Sequence, residues 1–260
     1  MTNWIKQDLA KKSVVLGAGI TMNTPLAAEL LAVAGADFLF MDLEHGAINL
    51  ETAHMMVAAM QGKRALCFAR VASQEAWQLK QALDLGVHGV VVPFVNTAAE
   101  AERVVRACRY PPAGIRGLSC QFAAARWGIS VPEYFRLANQ EIMVAVQIET
   151  PESVDHIEEI LAVSGIDMVF VGPADLSATC GFPLNSAHPE VESRIARVGD
   201  AARRAGVALG TVARTPEDVR HRVDQGFGFL VVAADTGLLL QACSDKLARI
   251  RENLPERAGR

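Results

Sequence analysis

The 260-residue sequence has little that is typical of nucleic-acid-binding or membrane proteins. No run of like charges exceeds a few residues, and 25 basic against 29 acidic side chains give a formal net charge of −4. Binding to phosphate backbones requires concentrated positive charge, so we expect no nucleic-acid partner. The apolar stretches are short and interrupted by Gly, Pro or acids, and residues 1–12 lack an apolar signal core. We therefore expect a cytoplasmic protein with no membrane partner.

Cysteine is also sparse, and no two cysteines form a CxxC pair. An odd number of widely separated cysteines argues against a disulfide framework. We expect reduced thiols, mostly in the core, at Cys67, Cys108, Cys120, Cys180 and Cys243.

Several catalytic signatures are missing. The six lysines map to predicted helices, loops or strand-entry positions, which disfavours an imine-forming lysine inside a barrel. No G-x-S-x-G elbow occurs, and the G-A-G at residues 17–19 lacks the third glycine and downstream acid of a dinucleotide fingerprint. These absences disfavour a serine hydrolase or a dehydrogenase, and no organic cofactor is expected.

The sequence does contain a repeated alternation of apolar runs and helix-like segments. Segments such as 24–35, 49–62 and 73–86 have helical spacing and capping residues, and lie between runs typical of parallel strands buried on both faces. The eight runs are 14–20, 37–43, 65–71, 89–95, 142–149, 167–175, 207–213 and 229–235. Eight strand–helix units predict an α/β fold, a TIM (β/α)8 barrel forming a single domain over residues 1–260.

One interval, between the fourth and fifth runs, is longer than the simple repeat requires. The pattern predicts a helix over 97–108, a long loop over 109–127, and a short helix from Pro132 to about Asn139. Long loops are more often functional than accidental. After Asp235 the pattern predicts an eighth helix, followed by a polar tail after Pro255.

Polar residues gather at the carboxyl ends of the predicted strands, where TIM barrels carry their active sites. They are Asp42, Glu44 and His45 after the second strand, Arg70 at the third, Gln147 and Glu149 at the fifth, Asp175 at the sixth and Asp235 at the eighth. Taken singly, each acid is commonly a helix cap or loop residue. Together they predict a charged site at the barrel mouth.

Glu149 and Asp175 are candidate oxygen ligands from adjacent strands. Such a pair suits a hard divalent cation whose remaining ligands are waters and substrate oxygens. The residues favour Mg²⁺ or Mn²⁺, with Co²⁺ as a third candidate. Zinc is disfavoured because no His or Cys pair has ligand spacing.

Four motifs occur together in this order: DLEHG (42–46), RYPPAGIRG (109–117), QIET (147–150) and VGPADLS (171–177). With them, nearly the whole chain resembles the HpcH/HpaI aldolase family, best known as 4-hydroxy-2-oxoheptanedioate aldolases. The resemblance implies a (β/α)8 barrel and divalent-metal class II chemistry on pyruvate and an aldehyde. It also implies a homo-oligomer, a hexamer built as a trimer of dimers, whose C-terminal helix packs on or is swapped with a neighbouring subunit.

The resemblance also implies roles for individual residues. Glu149 and Asp175 would be the metal ligands, His45 the acid/base, and Arg70 the cation beside the developing enolate oxygen. Gln147 and the backbone N–H groups of Ala174 and Asp175 would hold the pyruvyl group. The expected substrate-binding set is completed by Gly172, Pro173 and Val212.

Asp84 matches the acid with which this family raises the basicity of its histidine. It comes just before the fourth predicted strand, at the bottom of its own barrel, so it would reach a His45 only from another subunit. The segments 119–127 and 211–218 are individual to this sequence, and we expect the aldehyde pocket there.

Other functions remain open from sequence. The same metal and Arg70 would serve oxaloacetate decarboxylation, or ester and thioester lyase chemistry. A barrel that only binds a small acid or serves as a scaffold is the remaining alternative, and the intact set of His45, Arg70, Glu149 and Asp175 argues against it.

Overall fold

The computed structural model describes residues 3–254, and its eight strands form one closed parallel barrel in sequence order. The strands are β1 (Val15–Ile20), β2 (Phe38–Asp42), β3 (Leu66–Arg70), β4 (Gly89–Val92), β5 (Met143–Ile148), β6 (Met168–Val171), β7 (Ala208–Val212) and β8 (Phe229–Ala234). Each strand lies within one of the eight apolar runs, so the predicted TIM barrel is confirmed.

Helices follow the strands on the outside of the barrel. Within residues 3–254 they are α1 (Trp4–Ala10), α2 (Pro25–Val33), α3 (Leu50–Ala59), α4 (Ala76–Asp84), α5 (Ala98–Cys108), α6 (Gln121–Trp127), α7 (Val131–Glu141), α8 (Pro151–Asp155), α9 (Ile157–Leu161), α10 (Pro173–Thr179), α11 (Pro189–Ala205), α12 (Pro216–Asp224) and α13 (Asp235–Glu252). None of these helices is long and apolar enough to cross a membrane.

Several predicted segments differ from the structure. The sixth strand ends at Val171 instead of continuing to Asp175, because Pro173 occupies the first turn of α10, where its fixed φ favours a helix. The predicted loop 109–127 contains α6. The next helix, α7, begins one residue before the expected Pro132 and runs past Asn139 to Glu141.

The barrel interior is closed by aromatic packing. Alternate residues of β2 point to opposite faces: Phe38 and Phe40 belong to the interior cluster, and Leu39 belongs to the layer under the helices. The rings of Phe38 and Phe229 stack with centroids 3.7 Å apart. A Cβ at Gly17 would lie 2.3 Å from the Phe38 ring, so glycine makes room for it. The interior is a packed core, which leaves the mouth as the place for a site.

The predicted eighth helix, α13, is present but packs little on its own barrel. Of its residues only Asp235 is buried, while Leu239 and Leu240 are 60% and 71% exposed. The side chains of Leu26 and Leu30 on α2 are also exposed. The predicted polar tail after Pro255 lies outside the described residues.

Candidate active site at the barrel mouth

Arg70 is fixed at the mouth by Asp42. The register of β2 and β3 pairs these two residues side by side at the strand ends. Arg70 donates through Nη2 to Asp42 Oδ2 at 2.6 Å and through Nε to Oδ1 at 3.1 Å. Burial would raise the pKa of Asp42, but Arg70 and the backbone N–H groups of His45 and Glu44 outweigh burial, so the pKa is lowered. The guanidinium is therefore a permanent, oriented cation.

Glu44, which had no assigned role from sequence, belongs to the same cluster. Its Oε2 lies 3.1 Å from Arg70 Nε and 3.7 Å from His45 Nε2. This buried oxygen forms no hydrogen bond within residues 3–254. Burial raises the pKa of Glu44; Arg70 and His45 oppose the shift, and Asp42 and Asp175 add to it. Its position in the DLEHG motif was the available sequence signal.

The DLEHG loop orients His45 toward solvent at the mouth. Asp42 Oδ1 accepts hydrogen bonds from the backbone N–H groups of Glu44 and His45, each at 3.1 Å. A Cβ at Gly46 would lie 2.2 Å from the Asp42 carbonyl oxygen, so the tight turn requires glycine. The His45 side chain is 61% exposed, so it is accessible to a substrate.

Glu149 follows β5 as a fully buried carboxylate. Its Oε1 accepts a hydrogen bond from the backbone N–H of Phe94 at 2.8 Å, and its Oε2 accepts one from Nε2 of Gln147. Phe94 has φ +53°, a left-handed conformation that a phenylalanine rarely adopts and that no sequence pattern indicates. Burial raises the pKa of Glu149 to about 7, with further contributions from Asp175 and Glu44.

Asp175 comes from the first turn of α10 instead of from a strand. It is half-buried, and its charge contributes to the raised pKa values of both Glu44 and Glu149. The N–H groups of Ala174 and Asp175 belong to the same first turn, where helix N–H groups have no intrahelical acceptor. Gly172 is the N-cap residue of this helix and lies next to Glu149. A Cβ at position 172 would lie 2.7 Å from Glu149 Oε2.

An open cavity of about 450 Å³ adjoins this part of the mouth. Pro173 and Val212 line it together with Asp218, Arg222 and Glu192. Val212 and Asp218 belong to the segment 211–218, where the aldehyde pocket stays a prediction.

The expectation for 119–127 is wrong within a single chain. Trp127 in α6 donates from Nε1 to the Gly86 carbonyl at 3.0 Å and stacks on His88, with ring centroids 5.3 Å apart. Both contacts precede β4, at the end of the barrel where strands begin. The segment therefore lies opposite its own mouth.

Asp84 lies at the same end. It is the last residue of α4, and its Oδ1 accepts Arg116 Nη2 at 2.9 Å. Within one chain, the structure does not bring it together with His45. Asp235, at the end of β8, accepts the N–H groups of Thr21 and Met22 and so holds the loop after β1.

The donor set at the mouth fits a divalent cation. Four carboxylates lie at this mouth, Asp42, Glu44, Glu149 and Asp175, and mutual repulsion contributes to two raised pKa values. The first three act on the Arg70 guanidinium. The residues described form no group of three or more His, Cys, Asp or Glu side chains that could hold a metal ion. A site with two protein ligands, completed by waters and substrate oxygens, stays a prediction.

Comparison with known proteins gives a consistent result. Residues 20–242 match the HpcH/HpaI aldolase/citrate lyase family. The 5-keto-4-deoxy-D-glucarate aldolase of Klebsiella pneumoniae is 37% identical over 246 residues, 95% of each chain. An HpcH/HpaI aldolase/citrate lyase family protein from Burkholderia cenocepacia is 34% identical, with a TM-score of 0.90 over 96% of this chain and 100% of that one. The citrate synthase SbnG is 29% identical, with a TM-score of 0.86 over 95% and 97% of the two chains.

Proposed function

The chain belongs to the HpcH/HpaI aldolase/citrate lyase family, and we propose that it cleaves a 4-hydroxy-2-oxo acid to pyruvate and an aldehyde. Family membership makes it an aldolase, a carbon–carbon lyase. The proposed reaction is metal-dependent class II chemistry. The observation that carries this proposal is the buried Glu149 carboxylate beside Asp175, with the Arg70 cation at the same mouth. Enolate chemistry without a covalent intermediate requires such a combination.

Glu149 and Asp175 would hold the ion, which is Mg²⁺, Mn²⁺ or Co²⁺ and supplies Lewis-acid stabilisation of negative charge when bound. Gly172 leaves the space that the Glu149 carboxylate occupies, and Gln147 and Phe94 orient its two oxygens. The orphaned Oε1 of buried Gln147 supports a place in the substrate site, because buried polar atoms normally have partners.

The chain's own residues supply the remaining chemistry. The first-turn N–H groups of Ala174 and Asp175 bind the pyruvyl carboxylate, and Gly172, Pro173 and Val212 line the space beside it. His45 takes the proton from the C4 hydroxyl as the C3–C4 bond breaks, and the electron pair moves onto the C2 oxygen. Arg70, fixed by Asp42, stabilises that enolate oxygen.

We extend the proposal to a homo-oligomer. The apolar faces of α13 and α2 support a second copy as their occupant, because α13 buries only Asp235 on its own barrel. A hexamer built as a trimer of dimers would also bring the strand-entry end of one barrel toward another's mouth. Asp84 would then approach His45 of the second copy, and 119–127 would approach the second copy's aldehyde pocket.

The decisive experiment assays pyruvate release from a panel of 4-hydroxy-2-oxo acids with several divalent ions. The relatives make 5-keto-4-deoxy-D-glucarate the first substrate to include. In parallel, Glu149→Ala and Asp175→Ala are expected to abolish Mn²⁺ binding in calorimetry. Undiminished affinity in both variants would overturn the ligand assignment, and absence of pyruvate from every substrate would overturn the proposed reaction.

The likeness to a citrate synthase favours a second candidate that keeps the enolate and changes the electrophile. Oxaloacetate decarboxylation and ester or thioester lyase chemistry belong to this class. Product analysis separates them: decarboxylation releases carbon dioxide, and ester or thioester lyase chemistry releases a fragment that keeps its ester or thioester bond.

A further inference from the structure

Arg116 is buried between two tyrosine rings. Its side chain has no exposed surface, and its guanidinium lies 4.5 Å from the centre of the Tyr110 ring. Both terminal nitrogens approach Tyr134 Oη, at 3.4 and 3.5 Å, and Nε forms no hydrogen bond within residues 3–254. A charge buried this way requires an anionic partner.

Asp84 is that partner. Its Oδ1 accepts Nη2 of Arg116 at 2.9 Å, while Oδ2 accepts no hydrogen bond from the residues described. The Asp84 side chain is still 24% exposed, so the second oxygen remains accessible at the strand-entry end of the barrel. The pair therefore holds one carboxylate oxygen and leaves the other free.

We infer that Arg116 is a positioning residue for the reaction: it fixes Asp84 so that its free oxygen meets His45 of a second copy of the chain. This rests on the proposed function, in which Asp84 acts across a subunit interface. A buried ion pair is weak support for stability, because desolvation of both charges offsets their attraction. We therefore assign the pair a role in orienting Asp84, for which the planar guanidinium of arginine is suited.

The charges that face Asp84 come from several elements. Burial raises its pKa, and the opposing groups are Arg116 in the loop after α5, Lys80 on its own helix and His54 on α3. Tyr134, on α7, accepts from the same Nη2 of Arg116 that donates to Asp84. Loss of Arg116 removes the hydrogen-bonded cation, so the Asp84 carboxylate becomes harder to ionise as well as free to move.

The test is the pH profile of kcat/KM for pyruvate release by the full oligomer with Mn²⁺. A carboxylate beside an imidazole raises the imidazole pKa, so Asp84→Asn is expected to move the acid limb to lower pH by about one unit. Arg116→Lys and Arg116→Gln are expected to move it in the same direction by at least half as much. The double variant Asp84→Asn with Arg116→Lys should shift no further than Asp84→Asn alone, and Mn²⁺ affinity should stay unchanged.

Arg109 provides the matched control. It is another buried arginine paired with an aspartate, donating to Asp167 at 3.0 Å and to the Ile142 carbonyl at 2.9 Å. Arg109→Lys is expected to lower the melting temperature without moving the acid limb. An equal shift in Arg109→Lys would show a general structural effect and overturn the inference.

The remaining outcomes separate the inference from the proposal beneath it. If Asp84→Asn shifts the limb and folded Arg116→Lys does not, the role of Arg116 is refuted and the trans pairing stands. If Asp84→Asn does not move the acid limb of the kcat/KM profile, both the role of Arg116 and the pairing of Asp84 with His45 across subunits are refuted. If Arg116→Gln does not fold, the pH profile of Arg116→Lys is the test, because lysine retains the positive charge and lacks the planar guanidinium.

Discussion

Alanine at position 172 should weaken metal binding without unfolding the protein. Gly172 has φ −93° and ψ 90°, which alanine adopts without left-handed strain. Its new Cβ would lie 2.7 Å from Glu149 Oε2 and 3.2 Å from Gln147 Nε2. To reach 3.4 Å, where ordinary contact begins, the carboxylate oxygen must withdraw by about 0.7 Å. Metal–ligand distances tolerate only about 0.2 Å, so the proposed ligand leaves its position.

The size of the effect follows from comparable perturbations. Changes that displace a ligating group through its support typically reduce metal affinity by about 10–100-fold, or about 1.4–2.7 kcal/mol. We expect that loss for Mn²⁺ in Gly172→Ala by calorimetry. The free energy of unfolding should change by less than about 1 kcal/mol, because the closest contacts fall on the far ends of the Glu149 and Gln147 side chains and alanine reduces unfolded-state freedom.

Gly19→Ala is the control. Gly19 lies in β1 near the same mouth, yet the nearest atom to its added Cβ is 3.5 Å away, an ordinary contact. It should bind Mn²⁺ as the wild type does. Wild-type affinity in a folded Gly172→Ala variant would refute the assignment of Glu149 as a ligand in this position.

Three further predictions concern the same site. Arg70→Ala should reduce kcat by about 10²- to 10³-fold with little change in Mn²⁺ affinity, since the guanidinium acts where enolate charge develops; turnover within about threefold of wild type would contradict this role. Glu149 has a folded pKa of about 7 against an ordinary 4.5, so the folded state binds the proton more tightly and the metal-free protein should lose stability as pH rises through this interval. Melting temperatures measured in chelator across the interval check this, with Glu149→Gln giving a flatter profile. Mixing Asp84→Asn subunits with inactive His45→Ala subunits should regenerate some sites that carry both wild-type groups; no such recovery in hybrids with proven subunit exchange would refute the pairing of Asp84 with His45 across an interface.

The barrel could be read from the sequence because its strands are buried on both faces. Each strand is a short aliphatic run bounded by Gly, Pro or polar residues, and this pattern can be recognised without knowledge of tertiary contacts. Position at a strand end then placed Asp42, Arg70 and Glu149 at one mouth, because all parallel strands end at the same face. The boundary after β6 was misplaced because the apolar run was extended through Pro173, although proline is favoured in the first turn of a helix and marks the start of α10.

Contacts between segments that are remote in sequence could be known only from the tertiary structure. The contact of Phe94 N–H with Glu149 joins residues 55 positions apart, and the Arg116–Asp84 pair joins residues 32 apart. The fold likewise decided that α6 lies at the strand-entry end, since its Trp127 finds a hydrogen-bond acceptor at Gly86. Local pattern thus determined which residues could carry chemistry and at which end of a strand they lie. Packing determined which of them meet, because a carboxylate's pKa and orientation come from neighbours that no single segment contains.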